Sequence, residues 1–186
     1  MRLYIRQKGH KYKFFEDDNE EEILHGLWDS GWRQRLHSKI FDKDNQELVT
    51  ITLKKAPAFW RMNKTTYQIR LHRENIDVEV KAVNAYKGHW TFEYKGDKYD
   101  LYFHYGLKKS LFKNEYQVAK YDKGTVHVWD NDSGFIISNN DENKLLLLAI
   151  FLTFDMGESM DGDVNVDLGN LTGGVKEFNS YWQPVR

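Results

Sequence analysis

Apolar and polar residues alternate one by one through most of the first 137 positions. Val49, Ile51 and Leu53 are interleaved with Thr50 and Thr52, and Tyr67, Ile69 and Leu71 with Gln68, Arg70 and His72. Ile76, Val78 and Val80 repeat the pattern, as do Trp90, Phe92 and Tyr94, and Tyr99, Leu101 and Phe103. A period of two is that of strands with one face buried and one in water. Turn-forming clusters punctuate the runs at 42–45, 74–75, 95–97, 122–124 and 131–134. With weaker segments near Leu3, Phe14, Leu27, Leu36, Val118, Val126 and Phe135, the pattern predicts about a dozen strands at the spacing of sandwiches and barrels.

The period then changes. Leu145 to Phe154 (LLLLAIFLTF) carries one threonine and no charge. Ten residues fall short of the roughly 20 that a bilayer requires, and a helix apolar on every side is normally enclosed by protein. Ser138 to Glu142 reads as its start, with Asn139 as the capping residue, Glu142 three positions on and acids in the first turn. The predicted helix runs from about Asp141 to Asp155 and stops near Gly157. Many strands followed by one wholly apolar helix fit together if the sheet closes into a barrel, which removes its edges, with the helix filling the interior. Each large side chain buried there contributes about 1.5–3 kcal/mol. The predicted fold is therefore mainly β, a closed antiparallel barrel around a central buried helix near the C-terminus.

Three features carry a family resemblance: the opening LYIRQK followed by aromatic strands, the hairpin motif Ile40-Phe41-Asp42-Lys43-Asp44-Asn45-Gln46-Glu47-Leu48-Val49, and the hydrophobic block from Asp141 to Met156. In these the chain resembles the tubby C-terminal-like superfamily, which includes tubby proteins, LURP-one-related proteins and phospholipid scramblases. The likeness spans residues 1–156 and implies a twelve-stranded barrel around a central helix. Two features depart from it. Residues 157–186 continue beyond the helix as an extension, acidic at Glu158, Asp161, Asp163 and Asp167 and aromatic at Phe178, Tyr181 and Trp182. The palmitoylated cysteine cluster of scramblases has no counterpart, because the chain contains no cysteine. The extension is expected either to pack on the barrel or to serve as an interaction tail.

Composition narrows the chemistry. Zero cysteines exclude disulfides, thiolate metal sites and cysteine nucleophiles. A net charge of −1 gives the whole molecule no attraction toward nucleic acid. The first fifteen residues lack the apolar run of a secretory signal, so a cytoplasmic location, peripheral to a membrane if the ligand is a lipid, is the expectation. No phosphate-binding loop, dinucleotide fingerprint, HExxH or Gly-x-Ser-x-Gly occurs, and the seven histidines show no paired ligand spacing. No catalytic role, metal or cofactor is expected. Asp130, Asp132, Gly134 and Glu142 are offset from a calcium loop and read better as a turn leading into a helix cap. Asp161, Asp163 and Asp167 read as a solvated tail.

One asymmetry stands out. From Arg33 to Arg73 there are ten Lys or Arg against the three acids Asp42, Asp44 and Glu47, a local excess of seven. Within it lie Lys54, Lys55, Phe59, Trp60, Arg61 and Lys64, bases beside two large aromatics. Bases are drawn to anionic leaflets and aromatics to the interfacial layer. An anionic partner, such as a phosphoinositide headgroup or an acidic protein surface, is the expected ligand of these six residues. The competing reading makes Phe59 and Trp60 the plug of a barrel end and the bases a solvated loop. Lys108, Lys109 and Lys113 form a second, smaller basic cluster, and the acidic run Glu16 to Glu22 is a solvated loop that can also mask the bases. The alternative function is a structural or protein-interaction domain that docks through Phe178, Tyr181 and Trp182.

Overall fold

A computed structural model describes residues 1–17, 19–29, 37–55, 65–84, 88–104, 106–123, 132–160 and 176–185. Twelve strands, β1 (Arg2–Lys8), β2 (Lys11–Glu16), β3 (Leu24–Asp29), β4 (His37–Phe41), β5 (Glu47–Lys55), β6 (Thr66–Leu71), β7 (Ile76–Asn84), β8 (His89–Tyr94), β9 (Asp97–His104), β10 (Lys108–Lys113), β11 (Tyr116–Lys123) and β12 (Asp132–Ser138), precede the helix α1 (Lys144–Met160). Each strand pairs antiparallel with the next, and β1 pairs with β12 to close the barrel. The alternation does what the sequence predicts: Leu3, Ile5, Ile40, Val49, Ile51, Ile69, Val78, Val80 and Leu101 point inward and are fully buried.

The helix occupies the interior. Leu146 to Ile150 are at most 1 % exposed, and the contacts of α1 reach strands on all sides. Phe154 packs edge-on against Tyr67 of β6, Trp90 of β8 and Phe103 of β9. Asp155 meets Tyr12 of β2 and Lys123 of β11. Phe151 lies so close to β12 that a Cβ on Gly134 would come within 2.9 Å of its ring. Thr153 donates its hydroxyl to the Ala149 carbonyl at 2.7 Å, which satisfies the single polar side chain of the apolar run.

Connections after even-numbered strands lie at the barrel end that receives the start of α1, and several are tight. Lys95-Gly96 and Asn114-Glu115 each place two consecutive residues at positive φ, as a two-residue hairpin loop matched to strand twist requires. In the 42–46 turn the Asp42 Oδ1 accepts the amides of Asp44 and Gln46 at 3.1 and 2.9 Å, and Asn45 takes the left-handed conformation.

Three local expectations are corrected. The helix begins at Lys144, and its cap is Asn143, whose Oδ1 accepts the Leu146 amide at 3.0 Å. Asn139 and Asn140 are engaged elsewhere: Asn139 extends the sheet by donating its amide to Val118, and Asn140 accepts the N-terminal ammonium. Gly157 lies within α1 and does not end it. Finally, 122–123 and 133–134 belong to β11 and β12, where barrel closure keeps them paired. The strand expected near Val126 lies outside the described residues.

Candidate functional site

The basic segment 33–73 is largely neutralised where it is described. Lys39 pairs with Glu47 at 2.6 Å, Lys54 with Glu79 at 3.0 Å, Arg70 with Asp77 at 2.8 Å and Arg73 with Asp42 at 3.0 Å. Lys43 pairs with Glu21 of the acidic run. Glu79 also holds Lys81 at 2.9 Å, and hydrogen bonds from Lys81 and Lys54 lower its carboxyl to about 2. Burial opposes ionisation of Glu47, but hydrogen bonds from Lys39 and Thr50 prevail and hold its carboxyl below the usual range. Three of these acids, Glu21, Asp77 and Glu79, come from outside the segment, so a sum taken along the sequence misses them. Lys55 is the last residue of β5. Phe59, Trp60, Arg61 and Lys64 lie outside the described residues.

A second set of cations, most of them without a carboxylate partner among the described residues, lies on β1 and β2. Because Leu3 and Ile5 face the core, β1 turns Arg2, Tyr4, Arg6 and Lys8 outward; with Tyr12 and Phe14 inward, β2 turns out Lys11, Lys13 and Phe15. The register sets Arg6 opposite Lys13, Lys8 opposite Lys11 and Tyr4 opposite Phe15. The Arg6 guanidinium lies 4.8 Å from the Phe15 ring centre, and Arg2 donates to the Tyr4 hydroxyl at 3.2 Å. Lys13 is held by Glu22 at 2.8 Å. Among the described residues no carboxylate pairs with Arg2, Arg6, Lys8 or Lys11. Like charges directly opposite one another on a sheet are unfavourable, so this face favours an anion that bridges them. The signal was present in the sequence: the outward positions of RLYIRQK and KYKFFE are cationic or aromatic throughout, a pattern masked by the local acids that follow.

The second basic cluster does not form a patch. Lys109 points into the barrel, buried against the Phe103 ring at 4.9 Å, and Lys113 turns to Asp97 at 3.1 Å. Lys108 faces outward over Phe178 at 5.3 Å.

That contact belongs to residues 176–185, which pack on the outer face of β9, β10 and β11. Lys176 sits 3.9 Å from the Phe112 ring centre and donates to the Glu115 carbonyl at 3.3 Å. Phe178 rests on His104 at 5.2 Å. Lys120 donates to the carbonyls of Ser180 and Trp182 at 3.2 and 3.0 Å, and the Val185 amide donates to Asn139 at 2.8 Å. Ser110 and Lys120 face outward yet are buried. Burial under this strap lowers the His104 pKa to about 4. Phe178 and Trp182 are thus partly covered, whereas Tyr181 is 90 % exposed; the three do not form one patch.

Two of the described histidines bond to side chains of neighbouring strands. His72 sits 2.8 Å from Thr50 and 3.1 Å from Glu47, and His89 lies 2.8 Å from Asp100. Among the described residues no group of three or more His, Asp or Glu is placed to hold a metal ion. Gly134 pairs with Ile5 within the sheet, and Glu142 is buried at the barrel end, so these two do not share a cation loop; Asp130 lies outside the described residues. Among the described residues no helix is long and apolar enough to cross a membrane. In comparisons with known proteins, no family model, curated protein or solved structure matches the chain.

Proposed function

We propose that the chain is a non-catalytic binding module of the tubby-like type that recognises an anionic lipid headgroup through the outer face of β1 and β2. The observation that carries this reading is the contrast between two basic regions. Lys39, Lys43, Lys54, Arg70 and Arg73 are each paired with a carboxylate, whereas Arg2, Arg6, Lys8 and Lys11 share one sheet face with no such partner among the described residues. A base near an anionic leaflet contributes about 1 kcal/mol, so four give about 4 kcal/mol, roughly a thousandfold in partitioning. The surface is the outside of a sheet, which suits a headgroup layer better than an enclosed small molecule. The barrel around a central helix is the architecture that the resemblance to the tubby C-terminal-like superfamily implies, and a phosphoinositide headgroup is the ligand that resemblance suggests.

Co-sedimentation with phosphatidylcholine vesicles, with and without phosphoinositide, tests the reading at low and raised salt. Binding that requires the anionic lipid and is lost at raised salt is expected. Absence of binding at low salt overturns it, and capture of an acidic protein without vesicle binding shifts the partner class. The exposed Tyr181 favours a second reading, a protein-interaction domain whose strap presents that ring while Phe178 and Lys176 anchor it. Deleting the residues after Met160 removes that interaction if the second reading holds.

A further inference from the structure

The outward rows of the sheet continue from β1 across β12 to β11. The register sets Arg2 opposite Ile137, and Ile137 opposite Lys120. Residues opposite one another share a face, so Lys120 points out of the barrel on the row of Arg2. Two strand spacings separate them, about 10 Å. Burial, and after it the Arg2 charge, lowers the Lys120 pKa. By position, Lys120 extends the cationic face of Arg2, Arg6, Lys8 and Lys11 around the barrel.

In the docked chain Lys120 is withheld from that face. Residues 176–185 lie over it, the side chain is buried, and two of its three N–H groups go to the carbonyls of Ser180 and Trp182. On either side of that contact in sequence, Phe178 rests on His104 and the Val185 amide is bonded to Asn139. These are surface contacts outside the ladder of the barrel, and a segment held in this way opens at far lower cost than the sheet. Opening also keeps the local charge favourable to an anion. Asp122, on the adjoining row, is offset by the Lys108 ammonium 3.9 Å away, and Lys176 and Glu177 offset each other within the strap.

We infer that residues 176–185 are an autoinhibitory strap. Docked, they withhold Lys120 from the β1–β2 face; released, they add it, and the enlarged face holds an anionic headgroup layer more tightly. The inference rests on the reading of the β1–β2 face as a lipid-binding surface and assigns its regulation.

The test compares variants of the full chain by co-sedimentation with phosphoinositide vesicles at low salt, with strap release read from a spin label at Tyr181→Cys. Phe178→Ala, which changes no charge, is expected to free the label and to tighten binding about fivefold, the worth of one base near an anionic leaflet. Adding Lys120→Gln should cancel that gain. A freed label with unchanged or weaker binding, or a gain that survives Lys120→Gln, overturns the inference while the β1–β2 reading stands. Absence of binding by every variant overturns that reading and the inference with it. If Phe178→Ala leaves the label held, deletion of 176–186 takes its place and binding alone decides. That deletion removes Lys176, Glu177 and Arg186, so a gain cannot come from added positive charge.

Discussion

Tyr12 of β2 donates its phenolic hydrogen to the Asp155 carboxylate on α1, 143 residues away in sequence. Lys123 of β11 pairs with the other oxygen of the same carboxylate, and all three side chains are buried. This cluster ties two strands from different parts of the barrel wall to the helix at the end remote from its cap. Removing one member of a buried ion pair leaves an uncompensated charge and costs about 3–5 kcal/mol. Asp155→Ala is expected to lose that amount in urea unfolding, whereas Asp155→Leu combined with Lys123→Met recovers much of it. Tyr12→Phe should cost less, about 1–3 kcal/mol, because it removes one hydrogen bond to a charged group and leaves the ion pair.

The strap should respond to acid through His104. Its ordinary pKa of 6.5 falls to about 4 where Phe178 covers it, so the undocked state takes up the proton first. Docking is therefore fully favoured above about 6.5 and weakens as pH falls toward 4. A protonated ring would also stand opposite Lys108 in the β9–β10 register. The chain has no cysteine, so Tyr181→Cys gives a single site for a spin label. The label is expected to gain mobility between pH 6.5 and 4, and His104→Gln should abolish the transition.

Glu142 titrates in the opposite sense. Burial raises its pKa against the opposing Tyr99 hydrogen bond and the Lys113 charge. The folded state binds this proton more tightly than the unfolded chain, so the contribution is present at low pH and lost as pH rises through the raised value. Glu142→Gln is expected to increase the Tm at pH 7.5, with the gain shrinking as the solution is acidified. Thermal unfolding across pH 4–8 checks this.

Glu115 occupies the second position of the Asn114-Glu115 turn at φ +75°, a conformation that disfavours residues with a Cβ. Glu115→Gly creates the Asn-Gly pair favoured in such turns and should stabilise the fold by about 1 kcal/mol. The Lys176 contact to this turn uses the backbone carbonyl and should survive.

The barrel and its plug were legible because their signals are local. Strands such as β5, β6 and β7 alternate cleanly, and α1 has no polar face for solvent. β10 was not legible as a strand. Its inward positions are Lys109, Leu111 and Lys113, and its outward ones include Phe112, so the hydrophobic pattern is inverted by residues that fill the barrel ends through ring faces and ion pairs. The helix starts three residues later than the sequence predicts because Asn139, Asn140 and Asn143 look alike in sequence; which of them caps depends on where β12 stops pairing. Charge counted along the chain singles out 33–73, of which 33–36 and 56–64 lie outside the described residues. Charge counted across strands adds Arg2, Arg6, Lys8 and Lys11, which have no carboxylate partner among the described residues.

That contrast gives the most direct test. Arg6, Lys8 and Lys11 are replaced by Gln in one variant, and Lys39, Lys43 and Arg70 by Gln in another, so that both lose three positive charges. Vesicle co-sedimentation with phosphoinositide at low salt is then compared. Loss of binding in the first variant and near-native binding in the second is predicted. Equal losses, or loss only in the second, would contradict the assignment of the β1–β2 face.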